Sequence, residues 1–260
     1  MPLTAVWQKW RFIAPQRYLW LIKHWFSAST FVVKIATFAK PQNVSGNTKT
    51  QQTSKLKQIQ SNINMTETTE QHFLNKVFAS SGITQEELKT IIPKYKQIKI
   101  NKNDYLLKEG QVEKKYWFLE SGFIRSYVID TEGNDITFNL YGSGDVIIDY
   151  PSIFFFAPTR ENIQALTDCV CWEITFEDFQ EMFNDIVNFR EQQRGLLVGS
   201  YFALKEHSIS LIADQAKERY LRLMKEKPHI VQNISLKHIA TYLGITDTSL
   251  SRIRKEISSE

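Results

Sequence analysis

Near the C-terminal end of the chain, Thr248, Ser251, Arg252 and Lys255 recur at the three- and four-residue spacing that puts side chains on one helix face. Hydroxyls and a guanidinium fork grouped this way match the donor and acceptor pattern of base edges in a major groove, and the ammonium beside them suits a phosphate. The surrounding residues supply the scaffold. Ile239, Leu243, Ile245, Leu250 and Ile253 form an apolar face interrupted at Gly244, with small Ala240 where two helices would cross. Gly244 stands where a first helix must stop and reverse at positive φ. Thr246 offers an N-cap to a second helix, Asp247 puts a negative charge on its first turn, and Leu250, Ile253 and Ile257 form its core face. The pattern predicts a helix-turn-helix over Leu236 to Ile253 that reads DNA. A plain αα-hairpin whose polar face meets only water has the same periodicity.

Charge distribution favours the nucleic-acid reading. Residues 213–260 hold nine Lys or Arg against six Asp or Glu, whereas residues 65–212 hold fourteen against twenty-two. A basic module joined to an acidic one is suited to phosphate, but a surplus this small implies that two copies act together.

The 260 residues, 42% of them hydrophobic, suffice for a core in each of two domains plus an appendage. Cys169 and Cys171 lie two apart in a predicted strand, too few for a structural zinc or an iron–sulfur cluster and poorly placed for a disulfide. No cofactor is implied, and a reduced cytoplasmic setting is expected. Residues 1–64 differ in kind, with nine Lys or Arg, no Asp or Glu, and four of the six tryptophans. The apolar stretch Phe26 to Ala39 is interrupted by Lys34 and falls short of the about 20 residues a membrane-spanning helix needs, so no stable span is expected. Pro41 to Asn64 has the composition of a disordered linker, and the expectation is a native start at Met65, with 1–64 an extension that need not be native.

From Tyr95 to Ile174, short runs rich in Ile, Val, Phe, Tyr and Trp are broken by Gly or polar turns, which predicts an antiparallel β jelly-roll barrel. Asp130 to Asn134 marks a hairpin between Ile124–Ile129 and Ile136–Leu140. Thr175 caps a short helix through Phe183, and a longer helix follows from about Asp185 to Ser210. Along it Leu197, Tyr201, Leu204, Ser208 and Leu211 follow four-three spacing, which fits a two-stranded dimer seam or packing against the chain's own barrel. The fold class is α+β, organised as residues 65–184 (sensor barrel with flanking helices), 185–212 (dimerisation helix) and 213–260 (helix-turn-helix).

This order of parts, with Leu106-Leu-Lys-Glu-Gly110, Tyr116-Trp-Phe-Leu-Glu-Ser-Gly122, Tyr141-Gly-Ser-Gly-Asp145 and the terminal Leu236 to Ile253 segment, resembles the Crp/Fnr family of bacterial transcription regulators, and its short Bacteroidetes members in particular. The resemblance covers residues 65–260. It implies a cyclic-nucleotide-binding-type sensor, a homodimer, a palindromic site on double-stranded DNA, and RNA polymerase as a candidate further partner. It aligns Arg252 with a guanine-reading arginine, puts Thr248 and Ser249 near base edges, and assigns Lys237, His238 and Lys255 to phosphates. Asp247 and Thr248 depart from the family's arginine and glutamate at the head of this helix, which implies a different operator. The chain also stops before the β-hairpin wing of fuller members.

In the sensor, the family's glycine–glutamate pair falls on Ile148-Asp149 and its arginine–serine pair on Thr159-Arg160. A bulky Ile148 and a shortened Asp149 leave little of a cyclic-phosphate site, with Arg160 the leading partner for any anion. The expectation is a sensor that does not bind cAMP and whose small-molecule effector is not named by the sequence. Ile153-Phe154-Phe155-Phe156 could line an apolar pocket, but core filling is the simpler role. A cupin-like metal enzyme is disfavoured because none of the five histidines lies between Tyr95 and Ile174, and no phosphate loop, nucleophile elbow or HExxH helix is present, so no enzyme is expected. A ligand-sensing module that signals through protein partners remains the alternative.

Overall fold

The computed structural model describes residues 72–79 and 82–259. The basic extension 1–64 and the expected start at Met65 lie outside the described residues. Two short helices, α1 (His72–Phe78) and α2 (Gln85–Ile91), precede the sheets. Thr84 begins α2 in a capping box: its hydroxyl accepts from the Glu87 N–H while the Glu87 carboxylate accepts from the Thr84 N–H.

Eight strands follow: β1 (Lys96–Ile100), β2 (Tyr105–Leu107), β3 (Lys115–Ser121), β4 (Ile124–Ile129), β5 (Asp135–Tyr141), β6 (Val146–Ile147), β7 (Asn162–Ala165) and β8 (Cys169–Thr175), with helix α3 (Tyr150–Phe155) between β6 and β7. They form two antiparallel four-stranded sheets in the orders β1-β8-β3-β6 and β2-β7-β4-β5. Among the described residues no strand pairing closes them into one barrel, so the predicted jelly-roll is an open roll. The predicted hairpin joins β4 to β5, its turn fastened by the Asp130 carboxylate accepting from the Glu132 and Asn134 N–H groups.

Strand alternation divides the core. Along β3, Trp117 and Leu119 face inward to meet Leu107, Ile124, Ile163 and Cys171, while Tyr116 and Phe118 face outward to pack with Leu74, Phe78, Ile91 and Phe189 of the helices. Cys169 and Cys171 are buried free thiols on the inward face. Gly122, at φ +95, turns β3 into β4 where a Cβ would lie 2.5 Å from Asp168 O and from Cys169 Sγ. The Ile153–Phe156 run is largely helix α3, begun by Pro151 in its first turn and stopped at Phe156 in the left-handed region; Ile153 is buried but Phe155 is 47% exposed.

Helix α4 (Phe176–Asp185) is capped by Thr175, and α5 (Val187–Ala213) follows after Ile186. The C-terminal module comprises α6 (Ala216–Glu226), α7 (Pro228–Asn233), α8 (Leu236–Tyr242) and α9 (Asp247–Ser259). Its core gathers Tyr220, Leu223, Ile230, Ile239, Ala240, Leu243 and Leu250, and Leu140 of β5 joins it. No helix of the described residues is long and apolar enough to cross a membrane.

Candidate nucleic-acid interface and sensor site

The turn between α8 and α9 is built by local chemistry. Ser235 caps α8; at the other end the Gly244 N–H donates to Thr241 O and the Ile245 N–H to Ala240 O, the paired bonds of a Schellman stop. Gly244 has φ +67, and a Cβ there would sit 3.2 Å from Leu211 Cδ2 of α5. The Thr246 hydroxyl accepts from the Ser249 N–H at 3.1 Å, and the Asp247 carboxylate accepts from the Thr248 N–H. Leu250 is buried, with Ile253 and Ile257 packed beside it. This leaves Thr248, Ser251, Arg252 and Lys255 exposed together with Arg254, which the sequence reading did not single out. Ser249 is half-buried, its hydroxyl bonded to that of Thr246 at 2.9 Å.

Lys237 and His238 lie apart from that face, against the sensor. Lys237 Nζ is 3.1 Å from Asp135 Oδ1, and His238 Nδ1 is 2.9 Å from an Arg125 NH1 that is itself almost fully buried. Arg125 also donates to Gln164 Oε1 and Thr137 Oγ1, pairs with Asp135 at 3.0 Å, and stacks 4.0 Å over the Tyr127 ring. Burial first, and then the Arg125 charge, push His238 down to about 4, so near neutral pH its imidazole is uncharged and Nδ1 accepts from Arg125. The Thr137 N–H donates to Thr241 Oγ1, adding a contact of the same kind. Sequence reasoning missed Arg125, Asp135 and Thr137; the one available signal was an arginine inside a strand of mostly apolar and aromatic residues.

Helix α5 exposes a broad apolar band. Of the seam residues, Tyr201, Leu204 and Leu211 are exposed, Leu197 is half-buried, and Ser208 donates back to Leu204 O. Val198, Phe202, Ile209 and Ile212, outside the four-three series, are exposed as well, Ile212 to 88%. His207, next to Glu206, stacks on Tyr242 of α8 with ring centroids 4.4 Å apart, which ties the long helix to the C-terminal module.

The four effector-pocket candidates differ in their surroundings. Ile148 packs with the outer aromatic core and Arg160 is exposed. Asp149 and Thr159 are buried; Thr159 Oγ1 accepts from the Glu161 N–H, whereas Asp149 Oδ2 has no hydrogen-bond partner among the described residues. Burial, with the Asp149 carboxylate adding to it, pushes Glu161 up to about 7. Ser126 and Tyr141 share a buried hydroxyl contact at 3.3 Å, and Ser126 also bonds the Glu161 side chain. The polar groups in this part of the roll are thus carboxyls and hydroxyls.

Comparison with known proteins places this architecture. Residues 97–185 match the model of the cyclic nucleotide-binding domain. The fumarate and nitrate reduction regulatory protein of Yersinia pestis is 26% identical over 186 residues, covering 65% of this chain and 70% of that one. Its counterpart in Escherichia coli K12 is 27% identical over the same length and coverage. Among solved structures, FixK2 from Bradyrhizobium japonicum superposes with a TM-score of 0.56 at 17% identity, covering 64% of this chain and 85% of that chain. A transcriptional regulator of the Crp/Fnr family from Eubacterium rectale gives 0.52 at 16% identity, covering 68% and 84%. The structural likenesses extend to the helical C-terminal region, and the relatives from Yersinia pestis and Escherichia coli are named regulatory proteins.

Proposed function

Since the chain carries a cyclic nucleotide-binding domain and is homologous to the Crp/Fnr family of transcription regulators, we propose that it is a sequence-specific DNA-binding regulator acting as a homodimer on a palindromic operator. The observation that carries this reading is the α9 face, where Arg252 stands exposed between Ser251 and Lys255 on a helix whose opposite side is core. Arg252 would form the bidentate pair to a guanine O6 and N7, Thr248 would reach base edges, and Lys255 would hold a phosphate. A surplus of three positive charges in residues 213–260 is small for one module, which supports a paired reader, and the apolar band on α5 is the surface for the pairing. RNA polymerase is the further partner such a regulator would address.

The sensor does not bind cAMP in this proposal. An anionic cyclic phosphate brought near Asp149 and Glu161 would meet buried carboxyls, with Arg160 at the surface. Selection of bound sites from random duplex DNA by the full-length protein, at one stated near-physiological salt concentration, tests the reading. A palindromic motif is expected. Recovery of no motif by folded, dimeric protein would shift the function to a module that signals through protein partners. Thermal melting with and without cAMP tests the second part, and a rise in Tm with cAMP would contradict it.

A further inference from the structure

We propose that the Arg125–Asp135 pair of the sensor is an autoinhibitory latch, which holds α8 against β4 and β5, keeps Lys237 and His238 occupied, and on release frees them for DNA phosphates. The inference rests on the DNA-binding reading above. Its basis is a single connected set of contacts between segments more than 100 residues apart. Asp135 is the shared acceptor, with one oxygen on Arg125 at 3.0 Å and the other on Lys237 at 3.1 Å. Arg125 in turn reaches His238 at 2.9 Å, and the Thr137 N–H reaches Thr241 Oγ1 at 3.2 Å.

Two features make this contact releasable. The charged part sits at the rim: Lys237 is 65% exposed and Asp135 22%, so the ion pair between them is worth little in isolation and can be exchanged for a phosphate. The apolar part, where Leu140 joins the C-terminal core and Lys227 Nζ donates to Leu140 O, lies further along β5 and shares no residue with the latch. Arg125 is also adjacent in β4 to Ser126, which faces the buried Tyr141 hydroxyl, and the β4–β5 register shifts between Ser126 and Tyr127. A rearrangement inside the sensor at Ser126 therefore acts on the neighbouring residue that anchors α8. His238 is held uncharged by burial and Arg125; once released it returns toward an ordinary imidazole that can take a proton beside a phosphate.

The test measures affinity of the full-length protein for a selected duplex and for random duplex, as a function of salt. Asp135→Asn should raise affinity about tenfold on both, and should steepen the salt dependence by about one counterion. Lys237→Ala introduced into the Asp135→Asn background should abolish most of that gain. Because Asp135→Asn leaves Arg125 buried without its carboxylate, Thr241→Val serves as a second variant that removes the acceptor of the Thr137 N–H, along with the bond the same hydroxyl donates to His238 O within α8. It should give a gain of two- to threefold and faster hydrogen exchange at that amide. Unchanged or weakened DNA binding by both variants, with wild type binding its operator, would overturn the latch and leave the DNA reading standing. Faster exchange in the variants with no DNA bound by any of the proteins would overturn the DNA reading and, with it, the autoinhibitory role.

Discussion

The α9 face and the interior of the sensor roll present opposite chemistry. On α9, Arg252, Arg254 and Lys255 are exposed and their geometry is fixed by a helix that needs only Gly244, Thr246 and three apolar residues to form. Inside the roll, the Asp149 carboxyl is buried and that of half-buried Glu161 is pushed up to about 7, while Arg160 lies at the surface. A cationic helix face beside a roll whose interior carries acids and hydroxyls places opposite chemistry on two parts of one fold.

The largest effect should come from separating the two by stability. Leu250→Ala empties a fully buried position of the C-terminal core and should cost that module about 2–5 kcal/mol, measured by denaturant unfolding, with the aromatic core of the sensor unaffected. A single transition shifted for both regions would show that they fold as one unit and weaken the contrast.

Titration separates the C-terminal module from the roll interior, because His238 of α8 and Glu161 respond to pH with opposite sign. His238 is lowered from 6.5 to about 4, so the stability it contributes is complete above about pH 6.5 and is lost as pH falls toward 4. Glu161 is raised from 4.5 to about 7, so its contribution is complete below about pH 4.5 and is lost as pH rises through 7. The windows overlap and offset each other in the wild type. Glu161→Gln should expose the acid-side loss, adding a decline of about 1–3 kcal/mol between pH 7 and 4.5 in urea unfolding. An unaltered pH profile would remove Glu161 as the group that keeps the interior acidic.

A smaller effect is expected on assembly. Ile212→Glu on the exposed band of α5 should raise the dimer dissociation constant at least about tenfold, about 1.4 kcal/mol, in sedimentation or light scattering. An unchanged dimer would place the seam elsewhere.

What was legible in the sequence was local. The stop at Gly244, the cap at Thr246, the hairpin at Asp130–Asn134 and the helix after Thr175 each depend on residues within a few positions, and all four form as the pattern predicts. The polar face of α9 was readable for the same reason. Lys237 and His238 were assigned to phosphate from their place in the motif, but what they face depends on Arg125 and Asp135, over 100 residues away, whose pairing no periodicity encodes. The Ile153–Phe156 run reads as pocket lining or core filling, and its helical form, with Phe155 turned to solvent, follows from Pro151 in the first turn of α3. On α5 the four-three series captured Tyr201, Leu204 and Leu211 but missed Phe202 and Ile212, since apolar residues surround this helix and no narrow stripe stands out.

The most direct test of the account compares Arg252→Ala with Lys255→Ala on the selected operator and on random duplex at fixed salt. Arg252→Ala should cost about 1–3 kcal/mol per half-site on the operator, relax the preference at one base position and leave random DNA little changed, whereas Lys255→Ala should weaken both alike by a smaller amount. Equal losses on operator and random DNA for Arg252→Ala would contradict base reading by α9.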